Sequence, residues 1–295
     1  MQEHFHLLET DPNFRRNQVA LEHACQARLQ TAAVARVTPY HISVVVHVVH
    51  NPASPAEKIS VAQVNSQIAV LNRDYRARNP DKRKTPAVFG GLVADPMIQF
   101  ALATQDPAGN ATTGITFTAT AKNDFSDRSN PVKFKAKGGI NAWNTRKYLN
   151  IWVCTLEDTP AGQLLGYAQF PGGPVQTDGV VILNTAFGTT GAAAAPFKLG
   201  RTATHEIGHF LNLRHIWGDT PDCSGSDLVA DTPNAEDSNT GKPTFPHVSC
   251  NNGPNGDMFM NYMDYTDDDS MFMFTPGQVA RMHTTLDGPR KDLVG

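Results

Sequence analysis

Three histidines and one glutamate lie close together in the segment GRTATHEIGHFLNLRH, which ends at His215. His205 and His209 are four residues apart, so on a helix they present two imidazoles to one point, with Glu206 beside them. Imidazole nitrogen is a common zinc ligand, and a carboxylate next to the metal can act as a general base. The segment therefore predicts a helix that carries a zinc site with a neighbouring base.

The position of His215 requires a turn after this helix. Six residues advance the chain by about 600° around a helix axis, so His215 and His209 cannot share one helical face. The chain must therefore turn back, and Asn212 stands where the turn is expected. Asn is one of the few residues that tolerate the positive φ such a turn commonly needs. A third histidine delivered in this way leaves the fourth tetrahedral position of a zinc ion open to water, which is typical of a catalytic site.

The composition excludes several other classes of protein. The 295 residues are 40% hydrophobic and 18% charged with a formal net charge of −3, as in ordinary soluble globular proteins. No apolar run approaches the ~20 residues needed to cross a bilayer, and residues 1–10 lack the layout of a secretory signal. Because Lys and Arg are not clustered, we expect neither nucleic acid nor a membrane as a partner. The sequence does not indicate an oligomeric state.

The pattern of apolar residues predicts the elements that position this site. Residues 41–50 (HISVVVHVVH) are β-branched and nearly continuous, which is typical of a strand buried on both faces. Ser60 is placed as an N-cap, and apolar residues at three- and four-residue spacing predict an amphipathic helix from there up to Asn79 and Pro80. Further strands are predicted over residues 97–104, 148–154, 164–170 and 179–183. Together they indicate an α+β fold in which helices pack against a mixed sheet.

The first 38 residues differ from the remainder of the chain. They are polar and poor in large apolar residues, with a helix predicted over residues 17–34, and the composition changes sharply at Thr38 and Pro39. We therefore interpret residues 1–38 as an N-terminal extension or pro-segment and residues 39–295 as one catalytic domain.

Acidic residues are concentrated between Trp217 and Ser270, where eleven Asp and Glu residues face a single base, Lys242. This stretch is rich in Gly, Pro and Asn and has almost no apolar periodicity, so it has little hydrophobic means of ordering itself. One interpretation is a solvated acidic loop region. The other is that bound cations order it, since calcium prefers carboxylates and backbone carbonyls.

The motifs taken together resemble a known family. The pattern HExxHxxNxxH, followed by NYMDY at residues 261–265, is similar to that of the metzincins, in which a Met-turn lies beneath the zinc. Within that clan, five segments resemble the pappalysins and their ulilysin-like microbial members: LGYAQFP, DGVV, HIWGD, VADTP and NYMDYTD. The likeness is strong over residues 164–282. Asn212 departs from the usual family Gly, and Ser270 stands near a position where relatives often carry Cys.

This resemblance implies a metzincin-type catalytic domain in two lobes. The upper lobe, about residues 39–212, would hold a twisted mixed sheet, a backing helix and the active-site helix. The lower lobe, about residues 213–295, would be irregular, with the Met-turn and a C-terminal helix. The implied activity is that of a zinc endopeptidase acting on proteins or peptides, in which Glu206 is the general base. Tyr265 would hydrogen-bond the oxyanion of the intermediate, and Met263 would support the site without ligating the metal.

The resemblance also implies structural features of the acidic region. The positions at which pappalysins bind calcium match Asp219, Asp227 and Thr232, with the carbonyls near Val229 and Ala230, and Asp222 and Asp231 are nearby alternatives. Cys223 and Cys250 match a family disulfide, which indicates an oxidising compartment and a secreted or extracytoplasmic protein.

The other two cysteines receive different interpretations. Cys154 ends an apolar strand and is predicted to be a buried free thiol. Cys25 lies in the predicted pro-segment, and a thiolate there would take the fourth zinc position and hold the enzyme latent, as in metzincins with a cysteine switch. Cys25 lacks a strongly matching local motif.

Two segments are expected to contact substrate. The strand over residues 164–170, which contains Gly166 and Tyr167, would be an edge strand that pairs with an extended peptide; the alternative is an interior strand. Asp267, Asp268 and Asp269 follow the Met-turn, where metzincins form the pocket for the residue after the cut. A carboxylate there favours Arg, with Asp268 the first choice and Asp267 the second. Alternatively, all three acids are solvated or bind cations.

Other functions fit parts of the pattern. A catalytically silent zinc-dependent module that binds peptides would need the three histidines but not Glu206. A structural zinc protein would close the fourth coordination position. A gluzincin would use a downstream Glu as its third ligand. The presence of His215 at the metzincin spacing argues against this interpretation.

Overall fold

The computed structural model describes residues 1–30, 36–160 and 162–294. Six helices are present in these residues: α1 Gln2–Thr10, α2 Pro12–Gln30, α3 Val61–Asp74, α4 Ala87–Gly90, α5 Arg201–Phe210 and α6 Pro276–Asp287. The strands are β1 Tyr40–His50, β2 Ile98–Leu102, β3 Ile115–Ala119, β4 Leu149–Cys154, β5 Asp158–Thr159, β6 Gly162–Gln163, β7 Gly166–Ala168, β8 Val180–Leu183, β9 Thr240–Gly241 and β10 Tyr265–Thr266.

Six strands form one sheet in the order β2-β1-β4-β8-β7, with β3 also pairing with β1. The first half of β1 pairs with β2 and its last residues pair with β3. All pairs are parallel except that of β7 with β8, which is antiparallel. β7 therefore lies at one edge of the sheet, so the edge-strand interpretation of residues 164–170 is confirmed and the interior alternative is wrong.

Helices and loops bury both faces of the central strands, and this explains the continuous apolar run of β1. Alternate residues of a strand point to opposite faces. Val44, Val46 and Val48 join the larger core beneath α3, α5 and α6, whereas Val49 joins a smaller core around Trp152 on the other face. A strand buried on both sides needs apolar residues at nearly every position.

The backing helix α3 holds the active-site helix α5 in place. The Ser60 hydroxyl accepts a hydrogen bond from the Gln63 amide at 3.1 Å, so Ser60 is the N-cap of α3, as predicted. At the other end of α3, the Tyr75 hydroxyl donates to the Thr204 carbonyl at 2.9 Å. The Asp74 carboxylate accepts from the Thr204 hydroxyl at 2.7 Å. Two buried polar contacts therefore fix α5 against the end of α3.

The N-terminal residues are more helical than the sequence indicates. α2 begins at Pro12, earlier than predicted, because Asp11 Oδ1 accepts from the Asn13 and Phe14 amides at 2.8 and 3.1 Å and caps the helix. The predicted end of this helix, at Val34, lies outside the described residues. α1 was not predicted. α2 packs along α6, the C-terminal helix, which starts with a capping box between Thr275 and Gln278.

The predicted strands have counterparts at β1, β2, β4, β7 and β8, most of them shorter than predicted, whereas β3 and the two-stranded ladders β5–β6 and β9–β10 were missed. The ladder strands are only two residues long, too short for a period-2 pattern. Among the described residues, no helix is both long enough and apolar enough to cross a membrane.

His47 on β1 gives the fold a testable pH dependence. Its Nε2 donates to Asn150 Oδ1 at 3.0 Å, and its Nδ1 pairs with the Thr116 hydroxyl at 2.8 Å. Burial lowers the pKa of His47 from 6.5 to about 4, so below pH 6.5 the unfolded chain binds the proton more readily than the folded one. Through His47 alone, the free energy of unfolding should fall by about 3 kcal/mol between pH 6.5 and pH 4.

Urea unfolding at these two pH values, compared between the wild type and His47→Gln, isolates this contribution from that of the buried carboxyl groups. The decline should be smaller in the variant. Equal declines in the two proteins would contradict the assignment.

Candidate active site

Three imidazoles converge at the end of α5. His205 and His209 lie on one face of α5, and the chain then turns back through Asn212, whose φ is 73°. Leu213 donates its amide to the Gly208 carbonyl at 2.9 Å, which closes the turn. His215 Nε2 consequently lies 3.2 Å from His205 Nε2 and 3.0 Å from His209 Nε2. The predicted turn and the predicted convergence are both present.

The remaining nitrogen of each ring is held by a hydrogen bond. The Nδ1 atoms of His205 and His209 donate to the Tyr262 and Leu213 carbonyls at 2.7 and 2.8 Å. His215 Nδ1 donates to Asp219 Oδ1 at 2.6 Å. These bonds fix the tautomers so that all three Nε2 lone pairs point at one another, an arrangement that metal-ligating histidines share.

This donor set fits zinc. Burial lowers the pKa of all three imidazoles, that of His205 to about 4, so they are neutral and ready to ligate. Zn–N bonds of about 2.0–2.1 Å in a tetrahedral site require nitrogens about 3.3 Å apart, close to the spacings observed here. In the part of the chain that the structure describes, no other group of three His, Cys, Asp or Glu residues could hold a metal.

Glu206 lies between the histidines and the sheet edge. Burial raises the pKa of its carboxyl to about 8, although the N-terminal ammonium and Lys133 act to lower it. Gly166 of β7 lies against this side chain, because a Cβ at residue 166 would be 2.9 Å from Glu206 Cγ. The edge strand therefore passes directly over Glu206, and glycine is required there.

The Met-turn lies beneath α5. Met263 is fully buried, and a Cβ at Gly208 would clash with its sulfur atom. The Met263 carbonyl accepts from the Ile216 amide at 3.3 Å, next to the third histidine. Met263 thus packs against α5 and holds the residue after His215.

Tyr265 faces the cleft beside the histidines. Its ring centroid lies 4.6 Å from that of His215 and 5.5 Å from that of His205. The side chain is partly exposed, and it lines a cavity of about 330 Å³ together with Gly166, Glu206 and Asp268. A phenol in this position can donate a hydrogen bond to a substrate carbonyl.

Comparisons with known proteins agree with this geometry. The model of peptidase family M43, described as pregnancy-associated plasma protein-A, matches residues 137–287, about half of the chain. The chain belongs to this family, the pappalysins. It is similar to an extracellular metalloprotease of Pyricularia oryzae, 34% identical over 264 residues, which cover 87% of this chain and 78% of that protein. A Verticillium alfalfae protein of the same description is 31% identical over 285 residues, covering 89% of this chain and 84% of that protein.

Two solved structures are similar over most of the chain. Mature mirolysin of Tannerella forsythia in complex with a cleaved peptide is 52% identical, covers 88% of this chain and 96% of its own, and has a TM-score of 0.84. A promirolysin mutant from the same organism is 47% identical, covers 98% and 94%, and has a TM-score of 0.89. These similarities confirm the α+β metzincin-type fold and a metalloprotease with a catalytic metal and peptide substrates.

The three consecutive acids of this pappalysin differ in their surroundings. Asp268 is buried, and its Oδ2 accepts from the Leu199 and Arg201 amides at 2.6 and 3.3 Å at the start of α5. Burial raises the pKa of this carboxyl to about 6, and the side chain lines the cleft cavity. Asp269 pairs with exposed Lys242 at 2.5 Å, and Asp267 does not line the cavity. Of the three acids, only Asp268 lines the cavity.

Tyr167 contributes its backbone to the site but not its side chain. Its main chain pairs with Val181 across β7 and β8. Its ring packs in the smaller core on the other face of the sheet, where the hydroxyl is buried and has no hydrogen-bond partner. Any contact of Tyr167 with substrate is therefore through the main chain.

The residues expected to bind calcium divide into two groups. Asp227 accepts from the Val229 amide at 3.1 Å and from the Thr232 hydroxyl at 2.7 Å, so these residues lie together. Asp219 instead turns one oxygen to His215, and its Oδ2 is buried without a partner. Of the alternatives, Asp231 caps α6 through Thr275 and Gly277, and Asp222 is exposed. Ala230 is also exposed.

The cysteines are placed as follows. Cys223 and Cys250 form a disulfide, as the resemblance implied, and Cys154 is a buried free thiol. Cys25 does not lie among the histidines: its sulfur is buried 3.9 Å from Asn212 Nδ2. Burial raises the pKa of the Cys25 thiol, which disfavours a thiolate ligand. The cysteine-switch hypothesis is thus at odds with this placement.

Sequence reasoning missed the contact between Asp219 and His215, which lie four residues apart. Because the oriented carboxylate increases the basicity of the imidazole, Asp219→Asn should lower zinc affinity about 10- to 100-fold. His215→Ala removes a ligand and should lower it further. Competition with a chromophoric chelator measures both. Asp222→Asn is the matched control, since Asp222 is exposed, and an unchanged affinity in Asp219→Asn would show that the contact does not tune the metal.

Proposed function

We propose that this pappalysin is a secreted zinc endopeptidase that cleaves polypeptides bound along β7. The observation that supports this most directly is the convergence of three neutral imidazoles beside Glu206, under a free sheet edge. The histidine Nε2 atoms would hold the zinc ion. A silent binding module has no use for a buried carboxylate next to the metal ligands, so the site favours catalysis.

The residues of the chain have distinct parts in the proposed mechanism. When bound, zinc would supply Lewis acidity to the scissile carbonyl and to water. Glu206 takes the proton of the attacking water and returns it to the leaving amine. The Tyr265 hydroxyl donates to the carbonyl oxygen as negative charge develops there. β7 binds the substrate as an added antiparallel strand, and Gly166 lets its backbone approach Glu206.

The cavity beyond the histidines supports a preference for Arg after the scissile bond. The carboxylate of Asp268 is buried in the wall of this cavity, and two backbone amides donate hydrogen bonds to one of its oxygens. The other oxygen can accept a charge-assisted hydrogen bond from a guanidinium. Lys should be accepted less well, because its ammonium group is more strongly hydrated than a guanidinium and costs more to desolvate in the cavity.

The N-terminal residues fit the description of a pro-segment. The mature mirolysin structure covers 88% of this chain, whereas the promirolysin structure covers 98%. α1 places the His4 ring 4.1 Å from that of Phe170, and the ring of Phe170 lies 5.3 Å from that of His209. We therefore assign residues 1–38 to a pro-segment that keeps the protein latent until the segment is cleaved off. The disulfide and the relatives described as extracellular support secretion.

Glu206→Ala should retain zinc yet lower peptide hydrolysis by at least about a hundredfold, because only the proton acceptor is lost. Zinc content and the hydrolysis of denatured protein measure the two effects. His215→Ala is the comparison, in which zinc is lost as well. Wild-type turnover in Glu206→Ala would exclude the proposed mechanism, and no turnover in the wild type would favour the binding module.

The specificity proposal predicts that Asp268→Asn lowers the preference for Arg over Leu by at least about tenfold. Asn keeps an oxygen acceptor for the start of α5 but removes the charge. Matched peptides with Arg, Lys, Leu or Glu after the cut give the ratios of kcat/KM, and Asp267→Asn is the control. An Arg preference that persists in Asp268→Asn, or a wild-type preference for Leu, would count against it.

We also propose that calcium binds at Asp227 and Thr232 with the carbonyls of Val229 and Ala230, and that Asp219 completes the site. Burial raises the pKa of Asp227 to about 7, and a bound cation would offset the cost of its buried charge. Removing calcium while leaving zinc should lower the melting temperature and expose residues 218–257 to proteolysis. Asp227→Ala should abolish this response. Identical melting with and without calcium would refute the proposal.

A further inference from the structure

Trp217 contacts both the third histidine and the tyrosine of the cleft. Its ring stacks on that of His215 with centroids 4.2 Å apart and an interplanar angle of 8°. The same ring packs edge-on against Tyr265 at 4.8 Å. The indole is buried, at 5% exposure, so it fills the space between the two side chains. We propose that Trp217 is a positioning residue that holds His215 and Tyr265 in register.

The backbone around Trp217 is fixed from the other side. Gly218 has φ of 72°, and a Cβ there would clash with the Ser226 amide nitrogen. Asp219 follows at φ of 61° and binds His215 Nδ1. The imidazole of His215 is therefore held at its Nδ1 edge by a carboxylate and across its face by the indole. The Tyr265 ring is oriented by its packing against His205, His215 and Trp217.

Two consequences follow, and only the second rests on the proposed function. Loss of the indole frees the His215 ring to tilt, which lowers metal affinity whether or not the protein is an enzyme. It also frees Tyr265, which lowers kcat with little change in KM, because the tyrosine acts on developing charge. A residue that served only the packing of the core would lower the melting temperature and change neither quantity at a temperature where the protein is folded.

The test compares Trp217→Leu and Trp217→Phe with Tyr265→Phe and the double variant Trp217→Leu/Tyr265→Phe in the full chain. Trp217→Leu should bind zinc about tenfold more weakly and lower kcat about 10- to 100-fold. Trp217→Phe keeps a stacked ring, folds in the same space and should recover most of both. In the Tyr265→Phe background the kcat loss should shrink, because part of it passes through the tyrosine hydroxyl. Trp143→Leu is the control, because this partly buried tryptophan packs against His47 and Tyr148 and not against the three converging histidines.

Unchanged zinc affinity in Trp217→Leu, or fully additive kcat losses, would overturn the proposal. If no variant hydrolyses peptide, the proposed function fails, but the zinc competition still reports on Trp217.

A second, independent observation concerns the N-terminal helix. Glu22 of α2 accepts hydrogen bonds from Arg281 Nη1 and Nη2 at 2.8 and 2.5 Å, and Arg281 is 1% exposed. Arg281 Nε donates to the Asn212 carbonyl at 3.2 Å, and Asn212 Nδ2 lies 3.3 Å from Glu22 Oε1. The turn that delivers the third histidine is thus tied to α2 through both its backbone and its side chain. We infer that this cluster of Glu22, Arg281 and Asn212 is the latch that retains the N-terminal segment over the cleft.

Other contacts make α2 the element on which retention depends. Gln18 and Asn17 donate to the Pro171 and Gly172 carbonyls at 2.6 and 3.1 Å, just after β7. α2 therefore spans from the segment after β7 to α6, and α1 is joined to its start through Asp11. Burial alone would raise the pKa of Glu22, but the hydrogen bonds and charge of Arg281 hold it below its ordinary value. The pair is thus ionised, and breaking it leaves a buried guanidinium without its carboxylate.

This latch also explains the departure at Asn212. Glycine would permit the same positive φ but would present no amide to Glu22. Asparagine tolerates the positive φ of the turn, and its side-chain amide also donates to Glu22. The residue therefore serves the turn through its backbone and the latch through its side chain.

The latch inference rests on the pro-segment assignment, so its test has one readout that does not need activity. In the Glu206→Ala background, hydrogen exchange of α2 should be at least about tenfold faster in Glu22→Ala and in Glu22→Gln than in the parent. In the active chain, Glu22→Ala should shorten the time to full activity at least about tenfold. The specific activity after processing should equal that of the wild type, since Glu22 is then gone. Glu9→Gln, at an exposed position of α1, is the matched control.

Asn212→Gly should speed exchange of α2 in the same direction but by less, because the Glu22–Arg281 pair remains. Exchange of α2 at the parental rate in Glu22→Ala would overturn the latch. Faster exchange with no change in the onset of activity would show that the contact stabilises α2 without controlling latency. That result would also contradict the inference. A chain that never becomes active would instead refute the proposed function.

Discussion

The reversal of the chain at Asn212 is the constraint on which the rest of the structure depends. Two histidines on a helix can present two ligands, but a third can come only from a chain that leaves the helix and returns within a few residues. The return places His215 Nε2 3.2 and 3.0 Å from the Nε2 atoms of His205 and His209. A shift of one residue in the turn would remove His215 from the site. Neighbouring elements hold this reversal from several directions: Met263 below α5, α6 through Arg281, and Trp217 and Asp219 after His215.

The sheet has a separate task, which is to bring its edge strand β7 to Glu206. β1, β4 and β8 are buried on both faces and fix the position of β7, while α3 fixes α5 from the other side. The contact of Gly166 with Glu206 is where these two parts of the protein meet. The edge strand and Glu206 are thereby placed by different elements, and the core that α3, α5 and the sheet share keeps them in register.

Local patterns in the sequence are sufficient for those features that local physics decides. The spacing of His205, His209 and His215 predicts the turn and the convergent imidazoles, and the β-branched run of β1 predicts a strand buried on both faces. Features that depend on which distant residues meet could not be predicted. Asp268 differs from Asp267 and Asp269 only because the start of α5 binds its carboxylate, and nothing in a run of three acids distinguishes the middle one by itself.

The same limit applies to Asp219 and to the N-terminal residues. Asp219 was assigned to calcium on the family likeness, but its contact with His215 was not predicted, because that contact depends on the positive φ of Gly218 and Asp219. α1 was missed because it has only nine residues, too few to establish a period, and it is stable here through packing of His4 on Phe14 and Phe170. Cys25 was placed at the metal by analogy, whereas the register of α2 along α6 directs it to Asn212.

The glycine at residue 166 has a consequence for anyone who wishes to redesign this enzyme. Directed evolution of a protease commonly randomises the whole rim of the cleft, yet a side chain at this position would have to displace Glu206 or the Val181 carbonyl, because its Cβ would lie 2.9 Å from Glu206 Cγ and from that oxygen. Most members of a library that includes residue 166 would therefore have a disturbed carboxylate beside the three histidines. Diversity is better confined to those residues of the cavity wall that touch neither Glu206 nor the start of α5.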